Sequence, residues 1–497
     1  MPTRRRTLAL AGGLLGSLAG CLESGPAGTD AATPTSASDG SLPASSTVAP
    51  ASSPTATPTA APAGTPTVAG TERSTGTDRS PSTRTDSPDA PADATTVSGD
   101  LPAWEADRWI ETDYSHVLGL DAVDGRVYAT LNTGDGDSAV AAIAPGTGEF
   151  AWTTTARGDP EAGSHVHPEM PTETWGVTVA DGTVYSVHGR GDSYEWTELH
   201  ALDGADGERR WSVRRERRMA VHGVLGDTVV ASGREFFEPE GSHDTPEEPL
   251  ETVVYGLDAE SGDQRWARVV TGARGVAAGS DSVCVAHGDA LTVLDGNGDR
   301  QWDRRMDDGI RGLTIVDSTV VVVVGSDVDA STLVGLSTGG EEAWGVETAT
   351  RYLVPHGDRV YAMDDAVTAV TSDGAVVWRQ RVPGHDPLLT GDFLYTRTAT
   401  RMNAVDAFDL PGGERRFRFE TPSNNGWPLG ATDRTLVAEA ITPDQAEFTS
   451  LFAVDADTGE PRAVYRPSET VFAAQGYDGA AYVGFGGGRV GVFGDVL

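Results

Sequence analysis

The 497-residue chain carries 74 acidic residues against 37 basic ones, and every basic residue is arginine, giving a formal net charge of -37. The absence of lysine excludes a Schiff-base lysine, a P-loop lysine and a lysine general base, and a chain this acidic lacks the basic face that nucleic acid requires. Residues 101–497 hold 65 of the acids and 31 of the arginines, so the charge belongs to the part with the composition to fold. Such a surface repels itself in dilute buffer, but at molar salt the Debye length falls to about 3 Å and the repulsion is screened. We read it as the solvated surface of a halophile's protein.

In chain order, Thr3-Arg4-Arg5-Arg6-Thr7-Leu8 and the apolar run to Ala19 have the charged and short hydrophobic regions of an export signal. The run is too short to span a bilayer as a helix. The paired arginines resemble a twin-arginine signal, and Leu18-Ala19-Gly20-Cys21 resembles a lipobox, with Cys21 as the lipidated residue. This predicts a signal over 1–21 and an extracytoplasmic protein held to the cell membrane by lipid at Cys21.

Residues 22–100 are almost wholly Ser, Thr, Pro, Ala, Gly and Asp without an aromatic residue, and read as a disordered, mucin-like stalk. Beyond Cys21 the only cysteine is Cys284, so no intramolecular disulfide is expected, and Cys284 reads as a small buried apolar residue.

From residue 101 onward a unit recurs. Trp109, Trp152, Trp211, Trp266, Trp302, Trp344 and Trp378, then Phe417 and Tyr465, each open a strand. After each comes an apolar strand, an Asp/Gly turn, a Val-Tyr-like strand such as Val184-Tyr185 or Val360-Tyr361, and a strand ending in Leu-Asp or Val-Asp such as Leu202-Asp203 or Val454-Asp455. Four short strands per unit without helical periodicity predict an all-β, closed β-propeller of four-stranded antiparallel blades over 101–497, nine by count. The last unit lacks its Trp strand, and Asp107 to Thr112 is predicted to supply it, which removes two open sheet edges.

The phrase Ala201-Leu202-Asp203, Gly turn, Trp211, repeated at Gly256-Leu257-Asp258 to Trp266, resembles the pyrroloquinoline-quinone-type (PQQ-like) propeller repeat over about 105–497. That family includes quinone-dependent alcohol dehydrogenases and the propeller lipoprotein of the outer-membrane barrel-assembly machine. The resemblance implies eight blades as the alternative to nine. It also implies a vicinal cysteine pair and a calcium site for a quinone enzyme. No Cys-Cys pair exists here, so the expected role is a non-catalytic binding or assembly platform without a cofactor, the alternative being a quinone- or metal-dependent oxidoreductase.

Candidate sites fall on one face of the ring. Long insertions occur at 154–174, 189–198 and 233–251, and Trp175, just after the first, with Tyr194, Trp196, Phe236 and Phe237 are the expected anchors for a protein partner. His165, His167 and Glu169 present a metal-like spacing with fewer donors than most metal sites use. Arg274, Arg311, Arg351 and His385 recur at one place in successive units, where they suit a small anionic ligand or pair with acids such as Asp307, Asp308 and Asp386. Asp295-x-Asn297-x-Asp299 lacks the Gly and Glu of a calcium loop and reads as a hairpin turn. A monomer is expected.

Overall fold

The computed structural model describes residues 94–97, 101–132, 138–144, 147–156, 164–165, 177–190, 196–234, 251–328, 330–398, 403–421, 426–441, 449–495. Among them every regular element is a strand, and the strands form nine antiparallel blades. Blade 4 shows the plan: Ala273–Ala278 is innermost, followed outward by Val283–His287, Ala290–Leu294 and Arg300–Arg305. Among the described residues the blade count is nine.

Each blade is apolar on both faces because it is covered on both sides by its neighbours. Nine hydrophobic clusters result, each joining two successive blades around the ring. The cluster of Tyr185, Leu199 and Trp211 with Met219, Val221 and Val229, for example, joins blades 2 and 3.

The ring closes as the sequence predicts. Arg108–Glu111 pairs antiparallel with Arg489–Gly494, with Trp109 opposite Gly491, and becomes the outer strand of blade 9. A feature without a sequence signal precedes it. Ala94–Thr96 adds in parallel to the outer strand of blade 7, with Ala94 opposite Arg418, and Ala103 bridges Val464 on the outer strand of blade 8. The N-terminal segment therefore crosses the outer edges of blades 7, 8 and 9 in succession. Trp104 anchors the crossing, buried against Phe493 with ring centroids 4.6 Å apart.

The repeated tryptophan locks one blade to the next. The indole N–H donates to a backbone carbonyl in the following blade: Trp152 to Gly204 (3.1 Å), Trp211 to Ala259 (3.0 Å), Trp266 to Gly296 (2.8 Å), Trp302 to Thr338 (2.7 Å), Trp344 to Ser372 (2.9 Å) and Trp378 to Leu410 (3.1 Å). Each indole also lies flat on the turn of that blade. Gly298 has φ of +74°, and a Cβ there would come within 3.0 Å of the Trp266 ring, so this position is closed to side chains both by backbone conformation and by space.

Two substitutions at one joint test this lock. Trp266→Phe removes one hydrogen bond and should lower stability by about 1 kcal/mol. Gly298→Ala should cost about 2–4 kcal/mol, clearly more than Gly226→Ala, where φ is also positive (+57°) but nothing lies within 4 Å. Urea midpoints at constant salt read the difference, and equal losses at the two glycines would show that the indole contact does not restrain the turn.

Candidate functional site

The face on which inner strands begin and second strands meet third strands is also where the chain's long insertions emerge. They lie between Ala156 and Thr178, between Arg190 and Trp196, and between Arg234 and Glu251, all on blades 2 and 3. Two of the insertions differ from their sequence expectation: the second, expected over 189–198, is a short connection because Gly189 and Arg190 pair with Thr197 and Trp196 in the blade, and the first interrupts the innermost strand of blade 2 instead of only preceding it. Ser164–His165 pairs with the upper end of Thr183–Arg190, and Thr178–Ala180 pairs with the lower end. On the backbone, His165 is opposite Gly189 and Trp196 opposite Arg190, so these two residues sit at the same upper corner of blade 2. Trp175, Tyr194, Phe236, Phe237, His167 and Glu169 lie outside the described residues.

Beneath these insertions is a polar network that the sequence reading did not find. Ser138 of blade 1 shares a hydrogen bond with His188 Nδ1 (2.8 Å), Ser186 shares one with His188 Nε2 (2.9 Å), and the His188 and His200 rings lie 4.5 Å apart. Burial first, and then the neighbouring His200, hold the His188 imidazole well below its ordinary pKa. His200 also faces Glu198 at 3.4 Å and holds that carboxyl down to about 2. Ser138 and His188 are sealed from solvent, so the Ser–His contact is a buried tie between blades 1 and 2 and has no access to a substrate. The available signal was the polar residues Ser186, His188 and His200 on inward-facing positions of otherwise apolar strands.

The inner strands share a second device. In blade 4 the register slips between Ala273 and Gly275, leaving Arg274 as the extra residue of a β-bulge, and in blade 5 it slips between Ile310 and Gly312, leaving Arg311. The same slip singles out Leu118, His222, Leu429 and Phe472 in blades 1, 3, 8 and 9. In blade 6 Arg351 precedes the first paired residue and its N–H donates to Met363 (2.8 Å), and in blade 7 the slip falls between His385 and Leu388. Bulges bend the strand and re-aim side chains. At Gly430, just after one of them, a Cβ would lie 2.6 Å from the Ala474 carbonyl, so glycine there lets neighbouring inner strands crowd around the axis.

The structure thus places Arg274 and Arg311 at the same bulge position of adjacent inner strands, with Arg351 just ahead of the first paired residue of the next strand and His385 paired with Arg397 just before the slip in blade 7. Their partners differ. Arg351 and His385 approach Asp364 at 3.6 and 4.0 Å, while Asp386 pairs with Arg397 at 2.9 Å. Burial lowers the His385 pKa, and burial raises that of Asp386 against the pull of Arg397. Asp308 accepts the N–H groups of Gly309 (2.7 Å) and Ser326 (2.9 Å) instead of an arginine.

Other expectations are met. Cys284 is buried, which pushes its thiol up to about 12 and leaves it inert. Asp295 accepts the N–H groups of Asn297 and Asp299 (both 2.9 Å), a turn held by its own side chain.

Two further carboxyls carry a pH signature. Burial raises Asp121 to about 6, although Val177 N–H donates to it (3.0 Å) across the join of blades 1 and 2, and burial raises Glu439 to about 7. A carboxyl whose folded pKa lies above its unfolded value binds more protons when folded. Its penalty is therefore absent at low pH and grows as pH rises through the folded value. We expect the melting temperature to fall between about pH 4 and pH 7 from these two groups. Glu439→Gln should flatten that fall and stabilise at pH 8 by on the order of 2 kcal/mol; a variant whose pH profile keeps the parent's slope would show that Glu439 is not the group responsible.

A family profile described as outer membrane protein assembly factor BamB matches residues 67–338 and 329–474. No curated protein matches the chain at a significant level. Among solved structures the chain is similar to BamB from Moraxella catarrhalis, with 18% identity, 72% of this chain and 96% of that one covered, and a TM-score of 0.40. It is also similar to quinohemoprotein alcohol dehydrogenase from Comamonas testosteroni (13%, 81% and 78%, 0.41) and to Sqt1 from Saccharomyces cerevisiae (10%, 80% and 100%, 0.42).

Proposed function

The chain belongs to the outer membrane protein assembly factor BamB family of PQQ-like repeat propellers, and from that premise we propose that it is a non-catalytic binding or assembly platform for protein partners, held outside the cytoplasm of a halophile by a lipid anchor at Cys21. The observation that carries this reading is the placement of the long insertions. Two of them, between Ala156 and Thr178 and between Arg234 and Glu251, are longer than the connections between the other strands on that face, and they open on two adjacent blades with the short Arg190–Trp196 connection between them. Long loops on a rigid repeat scaffold are where recognition is usually built. Trp175, Tyr194, Trp196, Phe236 and Phe237 are the anchors, since large aromatic side chains supply contact area at low entropic cost. The stalk, expected over 22–100 but ending before the Ala94–Thr96 strand on blade 7, gives the disc reach from the membrane.

Two experiments test the reading. Crosslinking in intact membranes, followed by identification of bound proteins, should show a partner set that falls at least tenfold in yield when the five aromatics are changed together to serine. A partner set unchanged by that variant would remove the rim-loop assignment. Cys21→Ser should shift the protein from the membrane fraction to the soluble extracytoplasmic fraction, and full retention on the membrane would overturn lipid anchoring at this residue.

A further inference from the structure

The inner-strand bulges carry an inference separate from the rim loops. An exposed side chain on the innermost strand of a propeller meets solvent in the central channel or at its mouth, and Arg274 is exposed there and Arg311 half-exposed. Among the described residues neither makes an ion pair or a side-chain hydrogen bond. This is unusual for a chain with about two acids per arginine. On the outer strands arginines find acids readily: Arg265 with Asp258 (2.6 Å), Arg304 with Glu342 (2.9 Å), Arg305 with Asp289 (2.8 Å) and Arg416 with Asp409 (2.6 Å). Asp308, just ahead of Arg311 in the chain, accepts backbone N–H groups of Gly309 and Ser326 instead.

The unfilled donors continue along the same arc. Arg351 is exposed and held only loosely, 3.6 Å from Asp364. On blades 7 and 8 the Arg397 guanidinium, whose terminal nitrogen pairs with Asp386 (2.9 Å), lies 5.1 Å from the centre of the Trp427 ring, and among the described residues the buried Arg397 Nε and Trp427 Nε1 both lack an acceptor. Arg397 itself is only 9% exposed. A buried N–H without an acceptor costs about 1–3 kcal/mol, so this corner favours an incoming oxygen. Five adjacent blades therefore present donors, of which the arginines are suited to fork-like, two-point capture of carboxylates.

We propose that the channel mouth over blades 4–8 is a binding site for a polycarboxylate, with Arg274 and Arg311 each taking one carboxylate and the Arg397–Trp427 corner taking a further oxygen. Two sources share this chemistry, an acidic peptide segment and a small polycarboxylic acid. The five-fold aromatic variant of the rim loops should leave the site intact, so its failure and that of the rim-loop reading can be told apart.

The test measures binding of tetraglutamate and of citrate to the full chain, by titration calorimetry at 0.5 and 2 M KCl, with inorganic phosphate as the comparison. We expect at least one polycarboxylate to bind more tightly than phosphate. The Arg274→Ala/Arg311→Ala variant should weaken that binding at least tenfold, and Arg268→Ala on the outer rim should leave it unchanged. Trp427→Phe, which keeps the ring and removes the N–H, should weaken it severalfold. Tetraglutamate binding alone assigns the site to a peptide, and citrate binding alone to a small acid. Circular dichroism confirms that the variants fold. No binding of either probe, equal binding by parent and double variant, or phosphate binding as tight as either polycarboxylate would each overturn the proposal.

Discussion

The contact on which this structure depends is an indole lying on the glycine turn of the next blade with its N–H bonded to that turn's carbonyl. It recurs from Trp152 to Trp378, and it does two things that apolar packing alone does not. Burial between sheets is non-directional and would tolerate sliding, whereas a directed hydrogen bond at the rim fixes the register of one blade against the next. Where the marker becomes Phe417, the donor is gone but the ring still covers Gly459. There Ala94–Thr96 adds an extra strand to the same blade. The lock is weakest in chemistry where the edge is reinforced by chain.

Much of this was legible because the tryptophan marker and the Asp/Gly turns are local signals repeated in the same order, so the blade count and the head-to-tail closure at Trp109 follow from counting. What escaped the sequence shows where local signals stop. Ala94–Thr96 sits in a stretch of Ala, Asp and Thr without alternation, and only the presence of an outer strand to add to makes it a strand. The split inner strand of blade 2 is equally non-local, since Ser164–His165 is defined by its partner and not by its composition. The bulges were half-visible. The basic members Arg274, Arg311, Arg351 and His385 stand out by charge, but Leu118, Leu429 and Phe472 at corresponding bulges look like ordinary core residues until the register slip is seen.

The charge distribution follows a division between rim and axis. On the outer strands arginines bridge acids of their own and neighbouring blades: Arg265 pairs with Asp227 and Asp258 of its own blade, and Arg304 reaches Glu342 in the next. These exposed pairs are individually worth little, yet arginine rather than lysine suits them because one guanidinium can serve two acceptors at once. Toward the axis the arrangement changes: Asp364 is buried, Asp308 is turned onto backbone, and among the described residues Arg274 and Arg311 have no acid partner while Arg351 and Arg397 do.

The crossing of the N-terminal segment over blades 7, 8 and 9 has a mechanical consequence. A pull on the chain ahead of residue 94 does not reach the sealing strand at Trp109 directly. It meets first the parallel addition at Ala94–Thr96, loaded along its length, and then the Ala103–Val464 bridge with Trp104 wedged behind it. Tension would be shared among three attachments on three blades before it could unzip the one that holds the circle shut, much as a rope is belayed before it reaches the knot.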